Sequence, residues 1–256
     1  MSDRSRIITS ALIVGLVTPL GAATAPASGS DGSQSSPVAA ERGTCRTGKV
    51  ALTFDDGPQP GDTGKLLRVL RRKHARATFF VQGYRVRAHP KLIRKITRAG
   101  HRIGNHTWNH PDLTGLSKRQ IRSQIVRTNR AIRAAGGPRP TLVRPPYGAT
   151  NDRVAGVVKQ LRMHEVLWTV DTHNWSGGSV DAIVHRALSA IRPGDNIILM
   201  HDGVATSGRT VKAVPRIIRG IRKRGYCVAP LTRRGHARKP YHRLVSKHWS
   251  TTGSSR

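Results

Sequence analysis

Residues 49–58 read KVALTFDDGP. Lys49 to Phe54 is a short β-rich apolar run, and Asp55-Asp56-Gly57-Pro58 halts it with turn residues. A run of this kind, bounded by turn signals, fits a strand buried on both faces, as parallel sheets require. The segments that follow decide the sheet type. TGKLLRVLRRKHA (63–75) has helical period, and ATFFVQ (77–82) reads as a second strand. PKLIRKITRAG (90–100) opens on Pro and closes on Gly, as helices do. HRIGNH (101–106) is a short strand. Ser117 to Ala135 is an amphipathic helix, with Ser117 as N-cap and Gly136-Gly137 as its stop. TLVR (141–144) is a strand, Asn151 to Arg162 a helix capped by Asn151, and HEVLWTV (164–170) a strand. Ser179 to Ile191 is a helix ended by Pro193-Gly194, and NIILM (196–200) a buried strand. Thr210 to Arg224 is a helix, and YCVAPL (226–231) the last strand. Seven strands alternating with six helices imply parallel βαβ units. A closed or nearly closed (β/α)7 barrel of the α/β class fits best, with a doubly wound open sheet as the alternative. TFDDGP matches neither G-x-G-x-x-G nor a Walker loop, which argues against a nucleotide-phosphate cradle after the first strand.

The chain outside this alternation is read from composition. The 256 residues suit one catalytic domain with flanking segments. Arg4 and Arg6 precede the largely apolar stretch Ile7–Leu20, and Ala23-Thr24-Ala25 or Ala25-Pro26-Ala27 offers a cleavage site, so residues 1–27 read as a signal peptide. A retained membrane anchor is the alternative, but the run is short and broken by Thr18-Pro19. Residues 28–44 are a flexible linker rich in Ser, Gly and Ala, residues 45–232 the catalytic domain, and residues 233–256 a basic flexible tail. Cys45 precedes the first strand and Cys227 lies in the last, so an exported chain can join them in a disulfide; two buried thiols are the alternative.

With 45 Lys+Arg against 13 Asp+Glu, the formal charge is +32. Such a chain is drawn to polyanions. Only 4% of residues are aromatic, which argues against the stacking platforms of single-strand nucleic-acid binders. An anionic cell-wall polymer or a glucuronate-bearing plant polysaccharide is a better partner, and no specific nucleic acid and no stable membrane anchor are expected.

The scarcity of acid makes Asp55-Asp56 conspicuous. His106 and His110 follow the third strand, Arg144 ends the fourth, Asp171 follows the fifth, and His201 follows the sixth. All lie at C-terminal strand ends, where barrel enzymes assemble their sites. The spacing of His106 and His110 turns both imidazoles to one side, suited to one metal ion. Thr107 follows the first His where a zincin carries Glu, so that protease reading fails. Two His and one carboxylate make a three-ligand site, leaving the second aspartate free to take a proton from metal-bound water. His201 suits the general acid, Arg144 can hold a catalytic carboxylate ionised, and RPPYG can fix backbone N–H groups as an oxyanion site requires.

Five motifs, TFDDGP (53–58), HTWNH (106–110), RPPYG (144–148), DTHNW (171–175) and LMH (199–201), give residues 48–232 a resemblance to the NodB-like polysaccharide deacetylases, carbohydrate esterase family four. The resemblance implies a distorted βα barrel and one divalent metal, usually zinc and sometimes cobalt. It implies Asp55 as general base, Asp56, His106 and His110 as metal ligands, Arg144 orienting Asp55, and His201 as general acid. Tyr147 would offer its N–H to the oxyanion, and Pro146, Tyr147, Trp175 and Leu199 would shape the acetyl pocket. The implied substrate is an acetylated polysaccharide or oligosaccharide outside the cell, handled by a monomer and with wall association open. One position departs: the family's fourth motif carries a second Asp where this chain has Asn174. Without that charge the His201 pKa is expected to fall, weakening activity or moving its optimum to more acidic pH, with Asp171 as a partial substitute.

Overall fold

The computed structural model describes Cys45 and residues 47–236. The expectations for the leader (1–27), the linker (28–44) and the tail beyond residue 236 lie outside the described residues.

The described residues form eight strands: β1 Lys49–Asp55, β2 Thr78–Val81, β3 Arg102–Asn105, β4 Leu142–Val143, β5 His164–Glu165, β6 Val170–Asp171, β7 Asn196–His201 and β8 Cys227–Val228. Among the described residues seven α-helices accompany them: α1 Asp62–Arg72, α2 Gly83–Ala88, α3 Pro90–Arg98, α4 Lys118–Ala134, α5 Asp152–Gln160, α6 Val180–Ser189 and α7 Ser207–Lys223. The order is β5-β4-β3-β2-β1-β7-β6, with β8 on β1, and every pairing is parallel. The helix starts follow the capping chemistry read in the sequence. Ser117 accepts from Gln120 N in a full capping box, and Asn151 accepts from Val154 N.

Two differences from expectation shape the barrel. HEVLWTV is not one strand: its start pairs with β4 and its end with β7, at opposite ends of the sheet. This one segment therefore runs from one edge of a curled, barrel-like parallel sheet to the other, and a doubly wound open sheet is not formed. Between the two pairings, Val166 and Leu167 turn their carbonyls to the side chain of Arg144, whose Nε and Nη2 donate to them at 3.2 and 3.1 Å. A buried guanidinium takes over where the ladder lapses, because buried carbonyls need a donor. The second difference is the six-residue α2, which carries too little apolar periodicity to announce itself: only Gly83 and Val86 are buried.

Strand alternation sorts the core into two layers. Val50, Leu52 and Phe54 of β1 and Ile198 and Met200 of β7 join the large cluster shared with the helices. Ala51 and Ile197 join Phe80, Leu142, Val166 and Leu231 inside the barrel. By the same alternation Thr53, Asp55, Leu199 and His201 face inward. Cys45 and Cys227 form a disulfide, made possible because Cys227 lies opposite Lys49 in the β1–β8 pairing. Among the described residues no helix is long and apolar enough to cross a membrane.

Candidate active site

Asp55 ends β1 with Phe80 of β2 opposite on one edge and His201 of β7 on the other. Its carboxylate is buried, and Arg144 Nη1 donates to Oδ1 at 2.8 Å and to Thr53 Oγ1 at 2.8 Å. Burial pushes the Asp55 pKa up to about 6, against the pull of Arg144 and His201. The pair therefore leaves a carboxylate poised near neutrality, the range a general base needs.

Asp56 turns away from its neighbour because its backbone is left-handed, with φ 71°. Among the described residues, five of the seven non-glycine residues with positive φ lie in the site motifs: Asp56, Thr107, His110, Tyr147 and His173. Such conformations persist where surrounding structure imposes them, often around functional groups. The turn places Asp56 Oδ1 3.5 Å from His106 Nε2 and 3.4 Å from His110 Nε2, with Gln82 Nε2 donating to it at 2.6 Å. Burial pushes the Asp56 carboxyl up, but His106, His110 and His201 outweigh it and leave the pKa below its ordinary value.

His106 Nδ1 donates to Arg144 O at 2.7 Å, which leaves the Nε2 lone pair facing the space it shares with Asp56 and His110. Burial, its largest cause in each ring, lowers the pKa of both His106 and His110. Neutral imidazoles are the metal-binding form. One ligand atom from each of Asp56, His106 and His110 lies within 4.8 Å of the others. A borderline-soft divalent ion fits this nitrogen-rich set. His106 also has the outer partner that orients a ligand imidazole.

On the other side of Asp55, His201 Nδ1 meets Asn174 Oδ1 at 2.8 Å. Asn174 Nδ2 donates to Thr210 Oγ1 at 2.6 Å and to His201 O at 3.3 Å, which fixes the amide with oxygen toward the imidazole. Burial lowers the His201 pKa, opposed by the charges of Asp55 and Asp56. Asp171 does not contact His201 through the hydrogen bond it makes. Its Oδ1 accepts from His173 N at 2.7 Å, and its charge acts on His201 only through space.

Tyr147 is mostly exposed, with its ring edge-on to His110 at 4.6 Å. Its turn is closed by Gly148 N and Ala149 N bonding Pro145 O and Pro146 O. Among the described residues no acceptor takes the Tyr147 N–H. Pro146 is buried beneath it. Leu199 is buried on the inner face of β7, two residues before His201, and Trp175 is half exposed beside His173.

Three contributors escaped the sequence reading. Gln82 and Thr210 hold Asp56 and Asn174 from segments that carry no motif. Asp202 is buried under the Asp55-Asp56 turn, accepts from Thr63 Oγ1 at 2.5 Å, and is pushed up to about 7 chiefly by burial. A Cβ on Gly57 would fall 2.4 Å from Asp202 Oδ1, and one on Gly203 would fall 2.2 Å from Asp56 O. Both glycines therefore serve close packing around the turn. The HDG sequence at 201–203 was the available signal.

A family model described as polysaccharide deacetylase matches residues 42–166. The chain is 39% identical to a chitooligosaccharide deacetylase of Sinorhizobium fredii over 71% of its own length and 89% of that protein's. The chain belongs to the polysaccharide deacetylase family. It is thus a hydrolase of acetyl bonds on carbohydrate. It is also 40% identical to a peptidoglycan-N-acetylmuramic acid deacetylase of Bacillus subtilis, over 69% of this chain and only 36% of that longer protein. The solved family 4 carbohydrate esterase of Streptomyces lividans, in complex with acetate, superposes with a TM-score of 0.67 at 41% identity, covering 73% of this chain and 94% of that one. That likeness is consistent with the distorted barrel expected from the sequence.

Proposed function

We propose that this deacetylase is an exported, metal-dependent enzyme that removes N- or O-acetyl groups from a sugar polymer. One observation carries the reading: an Arg144-held Asp55 stands between the Asp56–His106–His110 triad and His201. Asp56, His106 and His110 would hold one divalent ion, with zinc the first candidate and cobalt the second. When bound, such an ion supplies Lewis-acid polarisation and lowers the pKa of coordinated water.

The chain's own groups account for the proton traffic. Asp55 takes a proton from the attacking water, and Arg144 keeps its carboxylate aligned through the 2.8 Å bond. The Tyr147 N–H is free to donate to the oxyanion as the carbonyl carbon becomes tetrahedral. His201 gives a proton to the sugar nitrogen or oxygen as the C–N or C–O bond breaks, and acetate leaves. Leu199 and Trp175 supply the apolar flank for the acetyl methyl. Export is supported by the leader pattern in residues 1–27 and by the Cys45–Cys227 bond, which suits an oxidising compartment. The basic charge favours wall association.

Asn174 favours a second reading, a weakly active or inactive polysaccharide-binding module, because the amide cannot stabilise an imidazolium as a carboxylate does. Acetate release separates the two. Purified residues 28–256 are incubated with chitooligosaccharide, peptidoglycan and acetylxylan. Release from at least one, abolished by chelator and restored by zinc, is expected. No release from any, with metal bound, would make the binding-module reading the better one.

A further inference from the structure

A pocket of about 360 Å³ opens beside the triad, with Asp56 and His110 on one wall and Tyr84 and Arg85 of α2 on another. Arg85 is half-buried and held in place: Nη1 donates to Gln59 Oε1 at 3.0 Å and Nε to Tyr84 Oη at 2.9 Å. A guanidinium carries five N–H donors in a rigid fork. Two are engaged here, which leaves three on Nη1 and Nη2. Among the described residues no carboxylate lies within ion-pair distance of it, although it borders a site built around Asp55, Asp56 and Asp202 and its charge acts through space on Asp202. A pre-positioned fork with unspent donors on a pocket wall is the arrangement that recognises a carboxylate through paired hydrogen bonds. The pocket shares Asp56 and His110 with the reacting centre, so such a carboxylate would sit on the acetylated sugar or on its neighbour.

We propose that Arg85 forms a carboxylate subsite, and that the polymer this enzyme prefers bears an acidic sugar at or beside the acetylated one. This deepens the proposed deacetylase reading and rests on it for its kinetic test. Two sugar chemistries present such a group, a uronic acid and the lactyl ether of muramic acid. The long-range field of the +32 chain would gather either polymer, while Arg85 would read it locally.

The test compares matched substrates: acetylated xylo-oligosaccharide with and without one glucuronate, and chitopentaose against peptide-stripped peptidoglycan strands. The parent is expected to favour the acidic member of one pair in kcat/KM, and which pair shows the preference names the carboxylate. Arg85→Gln should cut that preference about tenfold, the loss of one charge-assisted hydrogen-bonded contact, while Arg85→Lys retains part of it. An unchanged ratio in Arg85→Gln would overturn the subsite. A readout that needs no turnover stands beside it. Calorimetry with deacetylated xylo-oligosaccharide, with and without glucuronate, should show the same tenfold loss of discrimination in Kd for Arg85→Gln if the uronate is the ligand. A parent that hydrolyses none of the substrates yet discriminates in calorimetry would sink the reaction and keep the subsite. A parent that hydrolyses them with no acidic preference in either readout would do the reverse.

Discussion

The proposed general acid, His201, is partnered by Asn174, at the position where the resemblance read in the sequence expects a second Asp. His201 Nδ1 faces an amide oxygen, not a carboxylate, and burial holds its pKa low. A general acid works only while protonated, so rate falls as pH rises through its pKa. Asn174→Asp places a charge 2.8 Å from the imidazole and raises that pKa. The alkaline limb of kcat against pH is therefore expected to move upward by about one unit or more, within the range ordinary for a neighbouring opposite charge. A profile superimposable on the parent's would show that Asn174 does not set the His201 proton. His101 gives a cleaner titration, remote from the chemistry. Its ring accepts from Ala77 N and packs edge-on to Phe79, and burial lowers its pKa to about 4. The folded state holds it neutral while the unfolded chain protonates near 6.5. Its contribution to stability is thus present above pH 6.5 and is lost as pH falls toward 4. Thermal midpoints at pH 7 and pH 5 should differ less in His101→Gln than in the parent. The site residues that sequence reading found were those at strand ends with chemical side chains. Gln82, Thr210 and Asp202 escaped because their roles come from tertiary contact, which no local spacing encodes.

At the scale of elements, the informative segment is residues 164–170, read as one strand and found, with Asp171, as two pairings at opposite sheet ends. Periodicity marked it as β-rich and could not show that its middle would bond a side chain. That side chain, Arg144, joins the segment to Asp55 while wholly buried over the Phe80 ring. Arg144→Met removes the ion-pair partner of buried Asp55 and the donor to the buried Val166 and part-buried Leu167 carbonyls. A loss of about 3–5 kcal/mol in urea denaturation of metal-free protein is expected. A loss below about 1 kcal/mol would mean that water or relaxation replaces the guanidinium. The helices that carry caps and apolar stripes were legible to within a few residues, whereas α2 was not, because one buried turn beside charged neighbours has no period to detect.

For the whole molecule, the Cys45–Cys227 bond joins residues 182 apart and ties the start of β1 to β8. Closing so long a loop removes much freedom from the unfolded chain, so replacing both cysteines by serine should cost about 4 kcal/mol, read as a fall in thermal midpoint. The alternation of strands and helices made the barrel legible from sequence. The way residues 164–171 divide between the two edges of the sheet was not, since it follows from pairings between distant segments. The reaction proposed here depends on one ion held by Asp56, His106 and His110, and one titration addresses that directly. Metal-stripped protein is titrated with zinc while acetate release is followed on the substrate that responds. Activity should be absent at the start, rise linearly, and level off at one equivalent, with Asp56→Ala flat throughout. Full acetate release by the stripped protein, or by Asp56→Ala, would contradict the account.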